Sequence, residues 1–174
     1  MRSRSVSPRS VAGAQTILIE REFDAPRELV FAAWTNPEYL LAWFAPRGCT
    51  ISYSHIDVRP GGRFHSRIQN PSFGDCWCVG EYLEVVAPER IVYSIAIADG
   101  KGNKIDPAQA GHHPDWPRET IVRVTLLDNH GTTKLTLEQN ASVALAKQTG
   151  AYPSWLQMLD ELDRFVVVRR PHAQ

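Results

Sequence analysis

Phe23-Asp24-Ala25-Pro26-Arg27-Glu28-Leu29-Val30-Phe31-Ala32-Ala33-Trp34-Thr35-Asn36-Pro37-Glu38 is the stretch whose reading decides the fold. Before it, Ile17, Ile19 and Phe23 alternate as in a half-buried strand. Asp24 stands where a helix N-cap belongs, and Pro26 falls in the first turn, where a missing N–H costs nothing. Glu28 follows in that turn, where a carboxylate complements the helix dipole. Leu29, Val30, Ala33 and Trp34 share one helical face. Asn36-Pro37 ends the helix, and a second short one is expected through Tyr39, Leu40, Leu41, Trp43 and Phe44.

Beyond the helices the period falls to two. Residues 50–58 alternate with Ile56 and Val58 on one face, and Pro60-Gly61-Gly62 turns the chain into a strand from Arg63 to Gln69 that puts Phe64, Ser66 and Ile68 together. Asn70 to Gly74 turns it again, into strands predicted at 76–86 and 90–98, where Ile91, Tyr93, Ile95 and Ile97 keep strict alternation. This is the pattern of a half-buried antiparallel meander. After a connection over residues 99–118, Val122, Val124 and Leu126 point inward, with Arg123 and Thr125 outward. Asp128-Asn129-His130-Gly131 forms a hairpin turn, and Thr133, Leu135 and Leu137 line the returning strand. From Ser142 the spacing is helical. Gly150 and Pro153 divide it into a first piece through Gln148 and a main helix from near Pro153, with an apolar stripe of Trp155, Met158, Leu159, Leu162, Phe165 and Val166.

Composition restricts the function classes. A chain of 174 residues, 43% hydrophobic and 22% charged, suits one domain with a real core, expected over residues 15–170 between a flexible N-terminal tail (1–14) and a short C-terminal tail (171–174). The net charge of zero offers no electrostatic case for nucleic acid or an anionic membrane surface. No apolar run reaches transmembrane length. Three cysteines, Cys49, Cys76 and Cys78, are too few for a disulfide framework and point to a reducing, cytoplasmic setting. The Arg- and Ser-rich start lacks the apolar centre of a secretory signal.

The order of elements, together with Asp57-Val58-Arg59-Pro60-Gly61-Gly62-Arg63-Phe64, Pro88-Glu89-Arg90-Ile91-Val92 and Trp155-x-x-x-Leu159-x-x-Leu162, resembles the START-like (SRPBCC) superfamily over roughly residues 15–168. The nearest branch is the AHSA-type, named for activators of a heat-shock-protein ATPase and related to polyketide cyclase/dehydrase-like proteins. The resemblance implies an α+β helix-grip fold: a curved antiparallel sheet of about seven strands around a long C-terminal helix, with two short helices after the first strand and a cavity between sheet and helix. It implies no shared catalytic constellation. Many members carry His-x-x-Gly-Trp before the last helix. This chain has Ala151-Tyr152-Pro153-Ser154-Trp155, keeping only the Trp. The connection over residues 99–118 and the pair Cys76 and Cys78 also depart from the branch.

Candidate chemistry is sparse. Residues 112–115 (His-His-Pro-Asp) and the three thiols lack metal-site spacing, so no metal and no cofactor is expected; the cysteines read as small hydrophobes. No phosphate loop or nucleophile elbow is present, and no catalytic residue is assigned. His65 falls opposite Phe64 and Ser66, as an outward strand residue. Arg21 breaks an inward apolar row, either as a structural ion pair or as a contact for a ligand anion. Gln148 is either solvated or turned toward a polar head group.

The aromatic inventory suits a cavity or a solid core. The candidate ligand contacts are Arg21, Trp43, Phe64, Ser66, Tyr82, Tyr93, Ile95, Trp116, Gln148, Tyr152, Trp155 and Leu159. Three functions compete: binding of a small apolar or aromatic molecule, a cyclase, dehydratase or hydrolase-like enzyme using the same cavity, and a protein-interaction or chaperone-cofactor module. A homodimer is left open. Residues 99–118, long for a structureless loop, are either a lid over the cavity or disordered.

Overall fold

The computed structural model describes residues 14–172, so almost all of the expected N-terminal tail and residues 173–174 lie outside the described residues. The first strand, β1 (Ile17–Phe23), delivers the chain to α1 (Arg27–Thr35) and α2 (Pro37–Trp43). The cap differs from expectation. Pro26, extended at φ −67° and ψ 149°, is the N-cap of α1, and its carbonyl accepts from Leu29 and Val30. Asp24 lies too far upstream to cap and instead pairs with Arg170 beyond the last helix. Asn36 closes α1 and caps α2, its side chain accepting from the Glu38 N–H at 3.0 Å.

Six strands follow: β2 (Thr50–Ile56), β3 (Arg63–Gln69), β4 (Cys76–Val86), β5 (Arg90–Ala98), β6 (Glu119–Asn129) and β7 (Thr132–Gln139). With β1 they form one antiparallel sheet in the order β1-β7-β6-β5-β4-β3-β2. The β6–β7 hairpin turns through His130 (φ 53°) and Gly131 (φ 89°), the two left-handed residues that a type I′ turn requires. Register shifts between Tyr53 and His55 and between Tyr82 and Glu84 interrupt the ladders and help to curve the sheet. The first also reconciles two parities, putting Tyr53 on the same side as Ile56 and Val58.

The chain ends in α3 (Val143–Thr149) and α4 (Ala151–Val167), joined at Gly150, whose φ of 86° no β-carbon tolerates easily. Pro153 sits within the first turn of α4 and does not mark its start. The buried residues of α4 are the expected six, Trp155, Met158, Leu159, Leu162, Phe165 and Val166. They share one core with Phe64, Tyr82, Tyr93, Val122, Val124, Leu126, Leu135 and Leu137, while Arg123 is exposed on the opposite sheet face. The architecture is the α+β helix-grip arrangement.

One strand departs from the half-buried pattern. β5 is buried on both faces, with Val92, Ser94, Ala96 and Ala98 on the outer side. Those residues are mostly small, and the connection after β5 folds back over that region. Its Lys104 bridges to Ala98, and its 3₁₀ turn Pro107–Ala110 packs against β5. The connection is therefore ordered. The Asp99 carboxylate accepts from the N–H groups of Lys101 and Asn103, and the Asn103 contacts hold its carboxyl below the ordinary 3.8.

Candidate functional site

Between the sheet and the two early helices lies a cavity of about 40 Å³. The sheet contributes Tyr53, Phe64, Ser66, Ile68, Cys78, Tyr82, Tyr93 and Ile95, and the helical segment adds Trp34, Leu40 and Phe44. Two aromatic groups border it. Phe64, Tyr82 and Tyr93 form a triangle with ring centroids 5.7 to 6.0 Å apart. Opposite them, Trp34 meets Trp43 and Phe44 edge-on at 4.7 Å and 5.8 Å, with Trp155 tilted against it at 6.4 Å. Such edge-on contacts align ring edges with the negative ring faces and fix the walls.

The electrostatics of this interior are those of a dry site. Burial pushes the hydroxyls of Tyr53, Tyr82 and Tyr93 above their ordinary 10.0, so all three are neutral donors at neutral pH. Two wall residues carry buried polar atoms with no partner among the described residues: the Tyr93 hydroxyl and the Trp34 indole nitrogen. A buried donor without an acceptor costs about 1–3 kcal/mol.

Of the residues nominated from the sequence, Phe64, Ser66, Tyr82, Tyr93 and Ile95 come together on the cavity wall. Trp43 and Trp155 stand behind it. The Trp43 indole donates to the Ala33 carbonyl at 2.8 Å, and the Trp155 indole to Gln139 Oε1 at 2.8 Å, Gln139 donating in turn to Thr120. Leu159 is wholly buried in the core. Arg21 pairs with Asp160 of α4 at 2.7 Å, the structural ion pair rather than an anion contact. Gln148 is exposed on α3, while Tyr152 is half-buried beneath the Lys147 ammonium, 5.4 Å from its ring centroid. Trp116, in the connection after β5, is half-buried against the core.

Sequence reasoning missed Tyr53, Trp34, Leu40, Phe44, Ile68 and Cys78 as wall residues. Tyr53 was hidden by the β2 bulge, which makes its odd number share a face with Ile56. Ile68 was legible, since period two puts it on one face with Phe64 and Ser66. His65 does lie on the outer face, but it is covered: its ring stacks on Trp77 at 4.9 Å and its Nε2 donates to the Asp99 carbonyl at 3.0 Å. The cysteines are free, and Cys76 Sγ lies 3.9 Å from Cys78 Sγ and 3.7 Å from His112 Nε2. Among the described residues, no group of three or more His, Cys, Asp or Glu side chains is arranged to hold a metal ion, and no helix is long and apolar enough to cross a membrane.

Comparison with solved structures finds the same architecture repeatedly. A protein of Chromobacterium violaceum is 27% identical, with a TM-score of 0.72 over 87% of this chain and 96% of its own. A solution structure from Arthrobacter aurescens reaches a TM-score of 0.77 at 18% identity, covering 89% of this chain and 87% of that one. An AHSA1 protein of Silicibacter pomeroyi gives 0.70 at 18% identity, with 89% and 99% covered. No curated protein matches the sequence significantly. The profile of the family described as Activator of Hsp90 ATPase homolog 1-like protein matches residues 24–166, from the segment that opens α1 to the end of the α4 stripe. A helix-grip sheet closed by α4, and a family match spanning nearly all of it, place this chain in the AHSA-type family of the START-like (SRPBCC) superfamily.

Proposed function

We propose that the protein binds a small, largely apolar or aromatic molecule carrying one hydrogen-bond acceptor, in the cavity between sheet and helices. The observation that carries this reading is the pair of unpartnered buried donors, Tyr93 and Trp34, on the wall of an otherwise apolar cavity. A ligand oxygen between them satisfies groups that the protein leaves unsatisfied. Nucleotides and sugars fit poorly, because the wall offers only hydroxyl, thiol and indole groups. Free cysteines support a reducing compartment such as the cytoplasm.

Size sets a condition. About 40 Å³ holds a few water molecules, whereas an apolar cavity known to bind benzene measures about 150 Å³. A ring therefore enters only when wall side chains move outward. That small volume also favours a second reading, in which the domain acts through its surface as an interaction module, in keeping with the chaperone-ATPase activators for which the family is named.

Thermal-shift titration separates the two. A flat aromatic ketone such as 2-acetylnaphthalene, or a fatty acid, raises the midpoint, by about 2.7 kcal/mol of stabilisation at one hundred times its dissociation constant, and AMP does not. Tyr93→Phe, which removes the hydroxyl and almost no volume, reduces the shift in a chain that still folds. If no apolar compound stabilises the protein, the interaction module is the better account.

A further inference from the structure

We propose that Cys76, paired with His112, is a nucleophilic thiol site for α,β-unsaturated carbonyl compounds. The site is assembled from two distant parts of the chain. Cys76 and Cys78 lie two residues apart on β4 and so project to the same face, and the connection after β5 brings His112 Nε2 to 3.7 Å from Cys76 Sγ. Cys76 is half-buried, whereas Cys78 is buried and forms part of the cavity wall, its sulfur 3.9 Å from that of Cys76. The groups against Cys76 are these two. Its cross-strand neighbour Ile68 is apolar, and the adjacent Asp75 is engaged by Arg67.

This arrangement favours the thiolate. The Cys78 hydrogen bond lowers the Cys76 thiol below its ordinary 9.0, burial opposes that, and His112 adds to it; the contact with Cys76 raises His112 above 6.5. Cys78 shifts the opposite way, held as a thiol by its bond to Cys76 and by burial. These shifts favour a thiolate at Cys76 and bias His112 toward its protonated form beside it, with the neutral Cys78 S–H donor behind.

A soft thiolate next to a proton donor suits conjugate addition. Cys76 Sγ forms a bond to the β-carbon, the alkene π pair moves onto the carbonyl as an enolate, and the His112 imidazolium returns a proton to the α-carbon. Thiol and alkene become a thioether, with no oxidant, reductant or leaving group. A redox role for the two cysteines suits the strand less well. Residues two apart on a strand are separated by about 6.6 Å, at the upper end of the ~4.4–6.8 Å Cα spacing of disulfides, and ladders to β3 at both cysteines resist closure. The assignment stands on β4 and the connection alone and needs no ligand in the cavity.

The test is the pH dependence of alkylation by N-ethylmaleimide, an α,β-unsaturated carbonyl compound, followed by peptide mass mapping with Cys49 of the same folded chain as the reference thiol. Cys76 is expected to react at least tenfold faster than Cys49 at pH 6.5, with an inflection at least one unit below the roughly 8.5 of a free thiol. His112→Asn should move that inflection up and slow the pH 6.5 reaction several-fold. Equal rates at Cys76 and Cys49 in the wild type, or a His112→Asn profile superimposable on it, overturns the proposal. So does quantitative Cys76–Cys78 disulfide formation by stoichiometric peroxide at a rate exceeding that of alkylation. The wild-type profile decides the matter even if the variant does not fold.

Discussion

Trp155 both fills space behind the cavity and anchors a polar relay, its indole donating to Gln139, which donates to Thr120. Trp155→Ala is expected to destabilise the fold by about 3–5 kcal/mol in urea denaturation. Trp155→Phe keeps most of the packing but orphans the buried Gln139 oxygen, at about 1–3 kcal/mol. Tyr93 runs the other way. Its hydroxyl has no partner among the described residues, so Tyr93→Phe is expected to leave the unliganded protein as stable as before or up to about 1 kcal/mol more stable, while weakening any ligand-dependent thermal shift. A loss above 1 kcal/mol would show that the hydroxyl is already satisfied. At this scale the core was legible and the polar contacts were not. Period two marked Phe64 and Tyr93, and the 3.6 period marked the α4 stripe. By contrast, Gln139 and Thr120 sit at inward parities where only their being polar distinguished them. Partnerships between residues far apart in sequence, such as Cys76 with His112, leave no local periodic trace.

Strands β4 and β5 supply part of the cavity wall, and the connection that follows them packs against β5. Gly80 on β4 is where the sheet closes in on itself: a β-carbon there would lie 2.0 Å from the Ser94 carbonyl oxygen and 2.5 Å from the Phe64 ring. Gly80→Ala therefore forces backbone apart and is expected to lose more than about 2 kcal/mol, with the shift in the denaturation midpoint as the measure. The ion pair tying β1 to α4 behaves differently. Arg21 and Asp160 are 29% and 45% exposed at the side chain, so a double-mutant cycle should give a coupling below about 1 kcal/mol. Bulges explain where element reading failed. Each shifts parity by one residue without changing composition, so the period on either side looks intact while the faces exchange. The connection after β5 escaped for a related reason. Its order comes from side-chain bonds around Asp99 and from packing on β5, and neither produces a periodic signal.

The whole molecule encloses phenols in an interior that disfavours charge, and this predicts how it fails at high pH. Tyr82 and Tyr93 are buried core residues whose hydroxyls are pushed up from 10.0 by burial, with Tyr53 on the cavity wall shifted in the same direction. In the unfolded chain each phenol ionises at its ordinary value. The folded state holds these protons more tightly, so the stability they contribute is fully present below pH 10 and is lost as pH rises above it. Each such group removes about 1.4 kcal/mol per pH unit once the unfolded form is ionised, so Tyr82 and Tyr93 together remove roughly 3 kcal/mol per unit. A domain with about 5–15 kcal/mol of stability is then expected to unfold cooperatively within a few units above pH 10. The measurement is tyrosinate absorbance against near-ultraviolet circular dichroism in one alkaline titration. The signal of the buried phenols should appear in step with the loss of tertiary structure. Full ionisation of all five tyrosines while the dichroism stays native would mean that water reaches the cavity freely, and that its wall is not the dry surface from which ligand binding is argued.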